Sequence, residues 1–296
     1  MVLENTFGAL ITHYASKYID NINLSALRLS IFGGDVVLRN LELNLEVLRR
    51  EFAADLPIEF QRGFVREIRI HIPWLKLASE PIEITIDTVE LVASLQHLSD
   101  DDASEAAVAA PPAAQPPTES PDELAAGGGA SADGWMGALL SKALFNISLR
   151  VRNVVIKFVE ARAVASLSLR SIEILSAGAQ WQPACVEPEG PSKRLRKTLQ
   201  LADLTLCLDE QDPDGRVAHF QHPLLRRASL VARLDVHLQP SRRPEGATTL
   251  LIDVLCHELQ LALSDTQLLL LGELVEAGEA LKRARSSRAA AAKAAA

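Results

Sequence analysis

The feature that most constrains this chain is an alternation of apolar and polar residues with a period of two, which recurs along most of its length. Ile68, Ile70 and Ile72 alternate with Glu67, Arg69 and His71, and Ile82, Ile84 and Ile86 alternate with Glu83, Thr85 and Asp87. The rhythm resumes at Ile147, Leu149 and Val151. It continues through Leu167 and Leu169, shifting to Ile172 and Ile174, and through Leu199 and Leu201, shifting to Leu204, Leu206 and Leu208. Leu230, Leu234, Val236 and Leu238 follow, then Leu255, Leu259, Leu261 and Leu263. Successive side chains of a strand point to opposite faces, so each segment reads as a strand with one apolar face. The phase slips inside several of them predict bulges or strong bending.

The ends of the chain follow a different period. Leu3, Phe7, Leu10, Ile11, Tyr14 and Tyr18 recur at spacings of three and four, which predicts an amphipathic helix ended by Asn21 and Asn23. Leu27, Leu29 and Ile31 then read as a strand running into a hairpin turn at Gly33-Gly34-Asp35, with Val37, Leu41, Leu43 and Leu45 on the return strand. A short helix is expected near Glu46 to Phe52 and another over Trp135 to Phe145. A last helix starts with Ser264 or Asp265 as its cap and carries Leu268, Leu271, Leu274, Val275 and Leu281.

Charge separates the folded parts from the rest. Residues 99–134 are rich in Ala, Pro, Gly, Asp and Ser and hold eight acids with no Lys or Arg. Removing them from the 38 acidic residues leaves 30, equal to the 30 Lys and Arg. The acidity therefore belongs to an expected disordered linker, and the remainder lacks the basic field of a nucleic-acid binder. Cys185, Cys207 and Cys256 are far apart and odd in number, as in a reducing compartment. No apolar run is long enough to span a bilayer as a helix, and Glu4, His13 and Lys17 spoil a signal peptide. The expectation is a cytosolic protein.

Nothing in the sequence assembles a reaction centre. Gly33-Gly34 lacks the flanking pattern of a phosphate loop. Cys256 and His257 are adjacent, so on a strand they diverge, and His219 and His222 have no second ligand pair nearby. Glu210 and Asp212 have no partnering base. The expectation is a non-enzyme with no metal and no cofactor.

A meander of roughly eight to ten one-sided strands has to cover its apolar face, and the few helices look too short for the task. Periodicity leaves two arrangements open. The sheet can curl into a filled sandwich or barrel, or its apolar face can stay open and be covered by lipid.

Three stretches carry a resemblance. They are Asn21 to Ser30 after the amphipathic helix, Phe32-Gly33-Gly34-Asp35 running to Leu43, and Ile70-His71-Ile72-Pro73-Trp74-Leu75-Lys76-Leu77 with Ser79-Glu80-Pro81 behind it. In order and spacing they resemble the chorein N-terminal domain of the vacuolar protein sorting-associated protein thirteen family, with the Gly-Gly-Asp turn and Ser-Glu-Pro most similar to the Cohen-syndrome (B) branch. Gly33, Gly34, Pro73, Trp74, Lys76 and Pro81 are the signature positions, and Trp74 is expected to pack at a strand end. The likeness covers about residues 2–95; beyond them only the strand rhythm continues it.

The resemblance implies an α+β fold, mainly β with flanking helices, in which a strongly curved antiparallel meander forms an open apolar groove. It implies a chorein domain over 1–98, the linker over 99–134, continuation of the groove over 135–265, and an amphipathic helix with a basic, Ala-rich tail over 266–296. The function implied is carriage of glycerophospholipids between membranes at organelle contact sites, peripheral to the endoplasmic reticulum, Golgi or endosome. The endoplasmic reticulum would be the donor, and the rest of a longer chain or adaptor proteins the partners; the other reading is a scaffold or tether that carries no lipid. Lipid would lie on Leu29, Ile31, Leu41, Leu43, Ile68, Ile70, Ile72, Ile82, Ile84, Ile86, Leu149, Val151, Leu167, Leu169, Leu206, Leu234, Val236, Leu259 and Leu261. Phe7, Tyr14 and Tyr18 of the first helix would either close the groove or face the donor membrane.

Overall fold

The computed structural model describes residues 2–22, 27, 30–31, 33–53, 56–95, 139, 142–143, 145–160, 162–186, 193–212, 214, 217–238 and 249–295. The expected linker at 99–134 and Leu29 lie outside them, as does the side chain of Phe7. Helix α1 spans Val2–Tyr18, strand β1 Asp35–Glu42, helix α2 Leu45–Phe52, β2 Ile58–His71 and β3 Glu83–Leu95. Strands β4 (Ser148–Glu160), β5 (Ala163–Ser176), β6 (Lys193–Gln211), β7 (Val217–His219), β8 (Leu225–Leu238), β9 (Thr249–Cys256) and β10 (Gln260–Leu261) follow, then helix α3 (Asp265–Ala295).

All ten strands form one sheet in the order β1-β2-β3-β4-β5-β6-β8, with β9 and β10 on the far side of β8 and β7 beside β6. Its two edges do not pair with each other, so the sheet is open and mainly β with helices at its ends, as expected. The pairings are antiparallel with one exception: β3 and β4 run parallel, Ile84 opposite Leu149 and Val89 opposite Val154. A parallel neighbour needs a long crossover. The segment from Leu95 to Ser148 links β3 to β4, so the stretch read as an insertion lies in the connection that leaves strand direction unchanged.

The phase slips in the sequence have a common cause. Leu38, Ile68, Ile86, Val151, Ile172 and Leu201 lie directly opposite one another along one row of the sheet. The neighbouring apolar row on the same face is Leu41, Val65, Val89, Val154 and Leu169, three positions away in every strand rather than two. The extra residue is Asn40 in β1, Thr88 in β3, Asn153 in β4 and Asp203 in β6, all left-handed with φ between 53° and 56°. Asn and Asp tolerate that conformation best among non-glycine residues. The result is a crease across the sheet that keeps the apolar residues on one face. It ends at β8, where Arg227 is left-handed (φ 48°), and β9 and β10 read as one strand interrupted there. Polar contacts bind the outer side of the crease: Arg66 pairs with Asp87 and Arg170 with Asp203, and Asn153 Nδ2 donates to Asp87 Oδ1 (3.3 Å).

The region around Leu27 corrects the sequence reading. Residues 27, 30, 31 and 33 are helical, not a strand, and Gly33-Gly34 joins helix to strand rather than two strands of a hairpin. The spacing Leu27–Ile31 is also one helical turn, and both side chains are buried together against Val36, Ile72 and Leu77. Of the two glycines only Gly34 is required. Its φ is +84°, and an added Cβ would sit 2.9 Å from the Ile72 carbonyl oxygen. Leu45 likewise opens α2 instead of extending β1, because Asn44 caps the helix by accepting from the Val47 amide (3.0 Å). Strand β2 begins ten residues before Ile68, at Ile58, where the alternation is too irregular to read.

Among the described residues, helices cover the apolar face at its β1 end and at the strand ends of β5 and β6. At the β1 end Ile11, Ala15, Ile19 and Ile22, from α1 and the turn after it, pack on Leu38, Leu41 and Val65, with Ala143 and Leu139 closing over Ile82. Where β5 begins and β6 ends, Leu270 and Leu274 of α3 pack on Ala163 and Leu208. The start of α3 is fixed by a capping box: Gln267 N donates to Ser264 Oγ (3.2 Å) and Ser264 N to Gln267 Oε1 (3.0 Å).

Candidate functional site: an uncovered apolar face

Among the described residues, the middle of the apolar face from β3 to β8, away from the strand ends under α3, packs against itself. Val151, Val154 and Leu169 are buried by Ile86, Val89, Leu149, Ile156, Ile172, Leu201 and Leu204, all from the sheet. Leu167, Leu206, Leu230, Leu234 and Val236 continue the face half-buried. Among the described residues no second layer lies over these side chains, which is unusual for a sheet face of this hydrophobicity.

The residues expected to line a groove divide into groups. Leu43, Ile68, Ile70, Ile84, Ile86, Leu149, Leu167, Leu206, Leu234 and Val236 are half-buried on the sheet. Val151 and Leu169 lie at the centre of the self-packed patch. Ile31, Leu41, Ile72 and Ile82 are instead buried in the packed core under the N-terminal helices. Leu259 and Leu261 are exposed beside the edge of the sheet. Sequence reading passed over Val65, Val89, Val154 and Ile156, although the three-residue offset between apolar positions was the signal that places most of them.

The signature residues have local roles. Trp74 donates its indole Nε1–H to the Ile31 carbonyl (3.0 Å) and packs on the Leu27–Ile31 cluster, which places it at a strand end as expected. Pro73 is buried, Pro81 half-buried, Gly33 exposed, and Lys76 pairs on the surface with Glu80 (2.7 Å). On α1, Tyr14 is exposed and stacks on Tyr18. The Tyr18 hydroxyl donates to Glu51 (2.5 Å), which raises its pKa, while Lys17 beside Glu51 holds that carboxyl below its usual range.

One ionisable group sits on the apolar face itself. Lys197 of β6 lies in the row Ser176–Lys197–Leu234–Ile252, in phase with Leu199 and Leu201. Its ammonium donates to Ser176 Oγ (2.7 Å) and to the Ile147 carbonyl (3.1 Å), and burial lowers its pKa to about 8. On the opposite face Asp235 accepts from Arg194 Nε (2.8 Å) and Arg196 Nε (3.3 Å), which lowers its carboxyl to about 2. Arg196 and Arg233 also flank the Trp181 ring.

Among the described residues no cluster of three His, Cys, Asp or Glu could hold a metal ion, and no helix is long and apolar enough to cross a membrane.

Residues 2–223 match the VPS13-like family N-terminal region. The chain belongs to the VPS13-like family. The human intermembrane lipid transfer protein VPS13B is 32% identical over 287 residues, 95% of this chain and 7% of that protein. The vps13B protein of Dictyostelium discoideum is 25% identical over 71% of the chain and 4% of its own length. Matches to other branches are shorter: 31% of the chain for Dictyostelium vps13A, against 95% for human VPS13B. This VPS13-like region thus spans less than a tenth of the length of the relatives it matches. Those relatives are named lipid transfer proteins, not enzymes.

Proposed function

We propose that the chain is the lipid-binding N-terminal module of a transfer protein that carries glycerophospholipids between membranes at organelle contact sites. The observation that carries this reading is the self-packed, uncovered apolar face running from β3 to β8. A diacyl lipid moving through water exposes its tails at about 0.8 kcal/mol per methylene, on the order of 20 kcal/mol for two ordinary tails. An open sheet with one apolar face removes most of that cost and leaves the head group in water. No bond is made or broken, and the side chains act by solvation alone.

Eight strands lie side by side between β1 and β9, which at ~4.8 Å per neighbour gives a trough of roughly 35 Å. That accommodates a lipid tail and falls short of a gap between membranes, so transfer requires the remainder of a longer chain. In this reading the N-terminal helices close the trough beside the donor membrane, the endoplasmic reticulum, and Tyr14 is an exposed aromatic that could meet it.

The test is lipid bound per chain, read by native mass spectrometry after incubation with phospholipid vesicles. Stoichiometric glycerophospholipid is expected, with a loss of tenfold or more in an Ile156→Asp, Leu204→Asp variant that keeps its circular dichroism spectrum. A folded wild-type chain that stays lipid-free would instead assign the sheet to a scaffold.

A further inference from the structure

The apolar face carries one anomaly. From β1 to β9, every described side chain in its rows is apolar or small except for Lys197 and the residues at the rims. Lysine is among the residues least often taken onto such a face without a partner carboxylate. Lys197 has none among the described residues: its neighbours are Ser176 on β5, Leu234 on β8 and the Ile147 carbonyl before β4. Its position explains how it is tolerated. Ser176 is the last residue of β5 and Ile147 precedes β4, so the ammonium sits where the strands end. Buried Asn146, Ser148 and Thr198 surround that rim. The four-carbon stem follows the apolar face and the head reaches the polar lip.

An ammonium has three N–H donors, and two are engaged by neutral oxygens. The remaining donor and the whole positive charge are uncompensated, and burial has already weakened the hold on the proton. We propose that Lys197 is a rim anchor for the phosphate group of a lipid whose tails lie on the neighbouring Ile174, Leu199 and Leu234. This assignment rests on the lipid-carrying reading and adds a head-group contact to it. The geometry fits an amphiphile: tails require the apolar rows, the phosphate requires the lip, and Lys197 is at their border. The contact is charge-assisted and shielded from bulk water, the setting in which an ammonium–phosphate pair is strong.

The experiment compares loading of the full chain from vesicles doped with dioleoyl phosphatidic acid or with dioleoylglycerol, which share tails and differ in the phosphate. Wild type is expected to load phosphatidic acid about tenfold better, the size of one charge-assisted hydrogen bond. Lys197→Met is expected to bring the ratio near one while leaving dioleoylglycerol loading intact, which also shows that the variant is folded. Lys197→Arg, which keeps the charge, is expected to retain the preference. An unchanged ratio in Lys197→Met would overturn the anchor and leave Lys197 as a brace for Ile147 and Ser176. Inorganic phosphate competing at the same concentration as the lipid would overturn it in favour of a free-anion site. Failure of wild type to load either lipid would overturn the groove as well, and so is distinct from loss of the preference alone.

Discussion

At β1 the apolar face lies under α1 and the helical turn at Leu27–Ile31, and its residues form a packed core; Ile31 and Ile72 are 0% and 2% exposed. At β9 the same face, and its reverse, are left exposed by the described residues. Leu250, Leu251, Ile252, Val254 and Leu255 are 45–62% exposed on a strand that is apolar on both faces. Even α3, which anchors Leu270 and Gln267 at its start, leaves Leu268, Leu269, Leu271 and Val275 uncovered. Identical residue types therefore contribute to stability at one end and very little at the other, because burial and not composition sets the hydrophobic gain. One end of this sheet is finished by its own chain and the other is held by hydrogen bonding and charge.

The most direct way to break that comparison is to delete the same group at both ends. Ile31→Ala empties a site with no solvent contact and is expected to destabilise the protein by about 2–5 kcal/mol in urea unfolding. The loss should be accompanied by hydrogen exchange in β1 and β2 before β6 and β8.

A smaller effect sharpens the contrast from the other side. Asp235 on β8 is 5% exposed and paired with Arg194 and Arg196. Its carboxyl titrates at about 2 in the folded protein, below the ordinary 3.8, so its stabilisation is complete at neutral pH and disappears as pH falls through that window. Asp235→Asn should cost roughly 2 kcal/mol at pH 7. Thermal melts of the variant and wild type should converge between pH 4 and pH 2. An equal difference at every pH would mean that the pair does not hold this end.

The smallest expected effect is the partner of the first. Ile252→Ala, on β9, should change stability by less than about 0.5 kcal/mol. A cost comparable to that of Ile31→Ala would show that β9 is covered in solution.

Much of this was legible because strands announce themselves by period. The segments around Ile70, Ile84, Leu149, Leu169, Leu206 and Val236 all lie on strands, and the Trp74 segment gave the family. The strand read at Leu27–Ile31 failed because a run of Leu-x-Leu-x-Ile satisfies both periods: positions four apart also share a helix face, and the packing on Ile72 and Leu77 decided for the helix. The parallel β3–β4 pair was hidden because alternation records which way a side chain points, never which neighbour the strand finds. The groove candidates Ile31, Ile72 and Ile82 could not be told from their open counterparts for a related reason, since a residue's apolarity is the same whether a helix or nothing lies above it. Lys197 was not legible because β6 opens on a basic run, Lys193-Arg194-Leu195-Arg196-Lys197, that reads as a break and not as a strand.

The crease through Asn40, Thr88, Asn153 and Asp203 binds the strands in a way that pairing alone does not. Each supplies one surplus residue at the same level, so a strand that lost its own would leave every rung below out of step with both neighbours, its apolar half turned outward. Length cannot then drift strand by strand. Variation is channelled into the loops and rims, and a strand can dispense with the surplus residue only where the crease has run out, as at β9.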